Sequence, residues 1–292
     1  MRKTNAATGG KLLGLYLHIP FCVKKCAYCD FYSITDASLK ADYTAALIRD
    51  IKAYGERCSG YTVDTVYIGG GTPTCLGAGY LSEILQAVGA CFAIAENAEI
   101  TVECNPESTD QAVLEAMHKH GVNRLSFGVQ AAHDTELKRI GRIHDFAQAQ
   151  AAVELARQCG FTNISLDLMY GLPDQTQAQF LDSVTQCLTL NPQHFVVLRD
   201  SNWSLQHRWD VKIRFCRMTT RRQIPILPCA DCSAGTASST MKYQISQNRV
   251  FVPGIISNTG IFPTISDWTG RPFFPEWPPV RVCPGYQGLY QR

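Results

Sequence analysis

Residues 18–33, HIPFCVKKCAYCDFYS, place Cys22, Cys26 and Cys29 in one short loop. The loop directly follows the apolar, strand-like stretch 12–17, so the first strand of the fold fixes its position. Iron–sulfur clusters are held by cysteine thiolates, and three thiolates at a C-x3-C-x2-C spacing can bind three irons of a [4Fe-4S] cube. The spacing therefore predicts a cluster whose fourth iron is open to a reactant.

A zinc site is the alternative interpretation of the three cysteines. Structural zinc needs four closed ligands, usually supplied by C-x2-C pairs, and this loop supplies three. The 13 cysteines are an odd number that includes the triplet, which favours a reducing compartment over the disulfides of a secreted chain. We therefore expect a cytoplasmic protein, and the lack of any run of ~18 apolar residues predicts no transmembrane segment.

The front of the chain alternates strand-like and helix-like patterns. Strands are predicted at 12–17, 65–68, 99–102, 124–127, 164–168 and 194–198, and helices at 38–54, 80–92, 110–120, 146–159 and 177–188. Repeated β-α units predict an α/β fold with a parallel sheet, and six units make an open barrel. In barrels of this kind the chemistry gathers at the carboxyl ends of the strands.

Polar residues and glycines lie at these strand ends. Residues 69–72, GGGT, follow the second strand, where missing side chains would let a ligand's amino and carboxylate groups reach backbone polar atoms. Glu103 ends the third strand, Gln130 and Arg142 follow the fourth, and Asp167 lies among apolar neighbours in the fifth. Each residue alone could be an ordinary turn or loop residue, but their order along successive strands favours one shared site.

Six segments together carry a resemblance: YLHIPFCVKKCAYCDFYS, GGGTPT, ECNPES, RLSFGVQ, GRIH and SLDLMYGLPDQT. They resemble the oxygen-independent coproporphyrinogen III oxidase-like group of radical S-adenosylmethionine (SAM) proteins, and most closely its haem-chaperone (HemW-type) branch. The resemblance runs from about residue 13 to about residue 194. It implies a partial (β/α)6 radical-SAM barrel.

The resemblance also implies roles for single residues. Tyr16, Gly70, Glu103 and the open iron are similar to contacts with a first SAM. In the oxidase relatives, the positions that contact a second SAM correspond to Tyr28, Gly71, Thr72, Gln130, Arg142 and Asp167. His18 is interpreted as structural. The implied chemistry is reduction of the cluster and release of methionine and a 5′-deoxyadenosyl radical from SAM, with the protein orienting the reactants and excluding water.

Phe31 separates the two branches of the group. Oxidase members carry an additional cysteine two residues after the third cluster cysteine, where this chain has Phe31. The resemblance therefore favours a haem chaperone over an oxidase, and we expect no coproporphyrinogen decarboxylation. Its implied partners are haem, an unknown haem-accepting protein and an electron donor such as a flavodoxin-like protein.

The composition changes near residue 197. Residues 197–292 hold 12 basic and 5 acidic residues, against 15 and 20 in residues 1–196, and they hold all four tryptophans. Such a basic, aromatic segment with a single C-x2-C at Cys229 and Cys232 leaves a nucleic-acid or zinc module as an alternative. The missing second cysteine pair and the irregular aromatic spacing argue against it, so we expect no nucleic-acid partner.

Residues from about 197 onward are instead predicted to be an out-of-frame reading of the gene. In a frame displaced by one base, residues 241–246 can be reread as YEISNF and residues 253–260 as SRHNLKYW, both family-like segments. From Trp268 the opposite displacement yields GPGAHS. The predicted organisation is a flexible N-terminus at 1–12, a radical SAM core at 13–196 and an aberrant region at 197–292 that lacks the haem motif.

Overall fold

Six parallel strands follow one another in chain order across a single sheet in the computed structural model, which describes residues 3–4, 11–29, 31–199, 254–257 and 260–263. A short strand, β1, pairs with the third of these six. The strands of the sheet are β1 (Lys3–Thr4), β2 (Lys11–Ile19), β3 (Tyr61–Gly70), β4 (Ala93–Cys104), β5 (Arg124–Gln130), β6 (Ile164–Tyr170) and β7 (His194–Arg199). The order β2-β3-β4-β5-β6-β7 is that of an open β/α barrel, as predicted.

Helices connect the strands. They are α1 (Lys40–Arg57), α2 (Ala78–Cys91), α3 (Gln111–Lys119), α4 (Asp134–Arg139), α5 (Phe146–Gln158) and α6 (Gln177–Leu188), with 3-10 turns at Ala37–Leu39, Pro73–Leu76 and Pro106–Ser108. Side chains cap three of the helices: Asp110 accepts from the Val113 N–H, while Asp145 and Thr176 form capping boxes. Such caps satisfy N–H groups that the first helical turn leaves unpaired.

Apolar and polar residues alternate along the strands, so the sheet has two different faces. In β2, Leu13, Leu15 and Leu17 are buried, whereas Tyr16 and His18 point to the opposite side and are half-buried. The leucines join one apolar core with the helices, and each such burial contributes about 1.5–3 kcal/mol. The opposite side carries polar groups from neighbouring strands, which we call the polar face: Tyr16, His18, Tyr67, Glu103, Ser126 and Asp167.

The predicted strands and helices are present, but every predicted strand extends beyond its predicted bounds, most of all β4. The sequence does not predict α4, whose segment DTELKR is short and polar. The strands β3 and β5 are longer than predicted, so Gly69 and Gly70 lie inside β3, and Gln130 ends β5 instead of following it. A strand also forms at Lys3–Thr4, within the segment predicted to be flexible.

The region after residue 196 is described only in part. Strand β7 continues to Arg199, and β8 (Gly254–Ser257) pairs with β9 (Gly260–Pro263) as an antiparallel hairpin. The remainder of the predicted out-of-frame region, including Trp268, lies outside the described residues. Along the described part of the chain, no helix combines the length and apolar character needed to cross a membrane.

Candidate functional site

The three-cysteine loop lies at the carboxyl end of β2 and is fastened at both sides. The Cys22 N–H donates to the Ile34 carbonyl at 2.9 Å, and the Ile34 N–H donates to the Pro20 carbonyl at 2.8 Å, which closes the base of the loop. Farther along, the Ala27 N–H donates to the Ile140 carbonyl at 3.1 Å. These bonds hold the three half-buried cysteines together at the edge where the strands end.

The three cysteines offer thiol ligands of the kind that iron–sulfur clusters use. Within the described residues, no three His, Cys, Asp or Glu side chains converge closely enough to hold one metal ion. In a cube each cysteine binds a different iron, so the thiols do not need to meet at one point. Burial raises the pKa of the Cys26 thiol while Arg142 acts against this rise, and bound iron would keep the thiolate deprotonated.

The backbone N–H groups of residues 70–72 donate hydrogen bonds within the protein. The Gly70 N–H donates to Glu103 Oε2 at 3.0 Å, the Gly71 N–H to the Ile19 carbonyl at 2.8 Å, and the Thr72 N–H to the Phe21 carbonyl at 2.7 Å. The protein already uses these three N–H groups, so a ligand at the glycine run would meet other backbone or side-chain atoms, and that contact stays a prediction. A Cβ on Gly71 would lie 2.8 Å from the Phe21 carbonyl oxygen, so glycine permits the cluster loop to approach β3.

The polar face over β2, β3 and β4 forms a connected hydrogen-bond network. Glu103 accepts from the Tyr67 hydroxyl at 2.7 Å as well as from Gly70, while the ring of Tyr67 stacks on that of Tyr16 at 6.2 Å. The Tyr16 hydroxyl lies 3.1 Å from His18 Nδ1, and His18 Nε2 lies 3.1 Å from the Tyr32 carbonyl. A carbonyl only accepts, so Nε2 carries the proton and Nδ1 accepts from Tyr16.

The residues predicted to contact a first SAM therefore lie together. Tyr16, Gly70 and Glu103 belong to the network over β2–β4. Burial, followed by the nearby Glu103 charge, raises the pKa of Tyr16 above its ordinary value, so its hydroxyl stays protonated. His18, interpreted as structural, fixes the direction of that hydroxyl.

The residues predicted to contact a second SAM fall into two groups. Thr72 lies beside the cluster loop, with its Oγ1 3.5 Å from Cys22 Sγ and accepting from Asn105 Nδ2 at 3.0 Å. Arg142 is buried, donates to the Gly128 carbonyl at 3.0 Å and interacts with Tyr28 and Cys26. Gly71, beside Thr72, belongs to the first group.

Gln130 and Asp167 complete the second group with Arg142 and Tyr28. Gln130 is buried and has a φ of 70°, in the left-handed region. Among the described residues, its Oε1 and the Nε of Arg142 are buried without a hydrogen-bond partner. Asp167 accepts from Ser126 Oγ at 3.0 Å, and burial together with the charge of Glu103 raises its pKa to about 7. Buried polar atoms are normally bonded, so this group has the composition of a site for a polar ligand.

Sequence reasoning did not single out a buried pair in this region. His144 Nδ1 lies 3.0 Å from Glu107 Oε2, and the His144 side chain is fully buried. Both residues stand in quoted motifs, Glu107 in ECNPES and His144 in GRIH. Each sequence position alone resembles a loop residue, and only the fold brings the two together.

Comparisons with known proteins give the same assignment for the front of the chain. Heme chaperone HemW of Escherichia coli is 40% identical over 184 residues, which cover 62% of this chain and 49% of the relative. An oxygen-independent coproporphyrinogen III oxidase of Bradyrhizobium diazoefficiens is 37% identical over 191 residues, covering 64% and 42%. The chain therefore spans about half the length of the curated relatives it matches.

A solved structure agrees with the fold. Coproporphyrinogen III oxidase (HemN) from Escherichia coli, a radical SAM enzyme, superposes with a TM-score of 0.63 at 34% identity and covers 68% of this chain and 46% of its own. The Radical SAM superfamily pattern matches residues 16–187, more than half of the chain. With the parallel β/α sheet and the three-cysteine loop in place, the chain belongs to the radical SAM superfamily.

Proposed function

We propose that the chain binds a [4Fe-4S] cluster through Cys22, Cys26 and Cys29 and SAM at the open iron. The supporting observation is the three-cysteine loop, fastened at the carboxyl edge of the sheet above the polar face. When bound, the cluster would supply an electron to the sulfonium of SAM. The experiment is anaerobic reconstitution of the full chain, which should give about four irons per chain.

The polar face orients SAM in this proposal. Tyr16, Gly70 and Glu103 contact the first SAM, where the Glu103 carboxylate accepts hydrogen bonds and the Tyr16 hydroxyl offers its oxygen as an acceptor. A second SAM is held by six other residues: Tyr28, Gly71, Thr72, Gln130, Arg142 and Asp167. The buried, unpaired atoms of Gln130 and Arg142 support a polar ligand there.

We further propose that the protein is related in function to haem chaperones, which pass haem to an acceptor protein. The support is the 40% identity to heme chaperone HemW, together with Phe31 at the position where oxidases carry a further cysteine. Phe31 is 41% exposed beside the cluster loop. The exposed Lys24 and Lys25 offer positive charge to an electron donor such as a flavodoxin-like protein, in a reducing cytoplasmic compartment.

The alternative is an oxygen-independent coproporphyrinogen III oxidase, favoured by the 34% identity to that enzyme's solved structure. Of the two functions, only the oxidase converts coproporphyrinogen III. Because the haem motif is absent from this chain, the deciding readout is turnover: reconstituted protein with reductant and SAM should not decarboxylate coproporphyrinogen III. Turnover clearly above a no-enzyme control would transfer the assignment to the oxidase.

The segment after residue 196 bears on haem transfer. We propose that it is an out-of-frame reading, so that this chain has the SAM-site residues through Asp167 but has lost the haem motif. The family-like segments recovered from residues 241–246 and 253–260 support this. Nucleotide sequence across codons 190–292 should reveal base insertions or deletions, and an unaltered frame in repeated sequencing would refute the proposal.

A further inference from the structure

Glu107 and His144 form a buried pair outside the residues assigned to cysteine or SAM binding. Their contact, His144 Nδ1 to Glu107 Oε2, measures 3.0 Å, and the side chains are 0% and 12% exposed for His144 and Glu107. On the other side of the ring, His144 Nε2 lies 3.3 Å from the Val129 carbonyl oxygen. The ring therefore lies between two oxygens.

The partner atoms of His144 are both hydrogen-bond acceptors. Because the Glu107 carboxylate only accepts, His144 Nδ1 donates to Glu107 Oε2, and the Val129 carbonyl faces Nε2 on the other side of the ring. Burial alone would raise the pKa of Glu107, but the His144 hydrogen bond and the Arg142 charge outweigh it and lower that pKa. Charge-assisted bonds of this kind are shorter and stronger than neutral ones.

The pair joins three separate parts of the sheet edge. Glu107 stands in the turn after β4, Val129 in β5, and His144 at the end of the segment 140–144 between α4 and α5. Within that segment, Arg142 Nη2 donates to the Gly128 carbonyl at 3.0 Å. Glu107 and Arg142 therefore tie the same segment to two neighbouring strands.

The segment 140–144 also supports the cysteine loop. The Ile140 carbonyl accepts from the Ala27 N–H at 3.1 Å. A Cβ added at Gly141 would lie 3.5 Å from the Ala27 nitrogen and 3.8 Å from Cys26 Cα, so the backbone of Gly141 stands close to the backbone of the loop. A shift of the segment would move Arg142 and the middle of the cysteine loop together.

We propose that Glu107 and His144 are a positioning pair that holds the segment 140–144 against the cysteine loop at the Cys26–Ala27 peptide. The pair thereby sets the distance between the Arg142 guanidinium and Cys26. The effect on the cluster rests on the proposed function, but the effect on the loop does not.

The first test measures the loop without a cluster. Amide hydrogen exchange of Ala27 is compared in the full-length chain and in its Glu107→Gln and His144→Gln variants, with Leu166 in β6 as the internal reference. The Ala27 amide should exchange at least ~10-fold faster in both variants while Leu166 is little changed, because local opening is cheaper than global unfolding. The matched control is His133→Gln, which removes the half-exposed His133–Asp182 pair of 3.1 Å.

The second test measures the reconstituted cluster. The electron paramagnetic resonance spectrum of the reduced protein should change in both variants, and both should lose iron faster than His133→Gln. Ala27 exchange equal to that of the control, or equal acceleration at Leu166, would overturn the proposal. If wild-type protein binds no iron, the proposed function fails while the exchange test still decides the role of the pair.

A variant that does not fold is replaced by the Glu107→Met/His144→Leu double variant. Two apolar side chains cannot form the tie, and neither position then carries an unpaired buried charge. A folded double variant with wild-type Ala27 exchange would also overturn the proposal, and faster exchange would support it.

Discussion

Two regions of the candidate site differ in how completely their hydrogen bonds are made: the network over β2–β4, and the group of Gln130 and Arg142 at the end of β5. Over β2–β4, Glu103 accepts from Tyr67 and Gly70, and Tyr16 bonds with His18. At β5 and the segment after it, Gln130 Oε1 and Arg142 Nε lack hydrogen-bond partners among the described residues. The first region makes its hydrogen bonds within the protein, and the second keeps buried polar atoms that the proposed SAM could bond. A protein can hold such groups unpaired at a functional site, where the ligand offsets their cost.

The largest expected effect is loss of the cluster. Cys26→Ala should reduce bound iron from about four per chain to near zero and remove the visible cluster absorbance, because two thiolates do not hold the cube. Iron analysis and absorbance after anaerobic reconstitution measure this. Cys159→Ala, outside the loop at the end of α5, is the control and should bind iron as wild type does. A Cys26→Ala protein with a full iron complement would disprove the cysteine assignment.

Asp167 should make stability depend on pH. Its folded pKa is raised to about 7 by burial and by Glu103, so between about pH 4 and pH 7 the folded chain keeps a proton that the unfolded chain has lost. The free energy of unfolding then falls as pH rises through this window.

Asp167→Asn removes this dependence, so its stability relative to wild type should increase with pH. We expect a relative gain of about 1–3 kcal/mol between roughly pH 4.5 and 7.5, since partial hydration reduces the full linkage. Denaturant unfolding at both values measures it. Asp64→Asn on β3 is the control, and a difference between Asp167→Asn and wild type that does not change with pH would contradict the raised pKa.

Gly71 tests the close approach between β3 and the cysteine loop. Gly71→Ala should lower the free energy of unfolding by about 1–3 kcal/mol, because its Cβ would meet the Phe21 carbonyl at 2.8 Å and neither backbone can move aside. In α2, Gly79→Ala meets no atom within 4 Å and should be neutral or gain up to about 1 kcal/mol. Urea unfolding compares the two, and equal stability would mean that the contact is not constrained.

Gln130 tests the region with unpaired buried atoms and has the smallest expected effect. Gln130→Met keeps the length of the side chain and removes the unpaired Oε1, so the SAM-free protein should gain about 1 kcal/mol in unfolding free energy. The increase in thermal midpoint on adding SAM should shrink, because an assigned ligand contact is gone. The exposed Gln158→Met should change neither quantity. An undiminished SAM effect in Gln130→Met would remove Gln130 from the site.

Sequence patterns predict the sheet well because alternation reports burial directly. Leu13, Leu15 and Leu17 stand at alternate positions, are all buried and indicate β2 directly from the sequence. Helix α6 has its predicted bounds. The polar segment of α4 carries no such signal, and glycines are poor strand formers, so the extension of β3 through Gly70 depends on ladder bonds with β2.

The site is predictable to a lesser degree. The order of strand ends predicts that Glu103, Gln130 and Asp167 lie at one edge, since parallel strands share a direction. The pairing of Glu107 with His144 joins residues far apart in sequence, and the use of the Gly71 N–H by Ile19 depends on the path of the cysteine loop. Such contacts follow from the assembled fold and leave no periodic pattern in the chain.

We propose that Cys22, Cys26 and Cys29 hold a cluster with one iron open to SAM. Electron paramagnetic resonance of the reduced, reconstituted full-length chain, recorded before and after saturating SAM, tests it most directly. We expect a [4Fe-4S] signal whose shape changes when SAM is added, because SAM would bind at the iron without a cysteine. A spectrum unaffected by SAM, or a protein that holds about one metal ion per chain and gives no cluster signal, would contradict it.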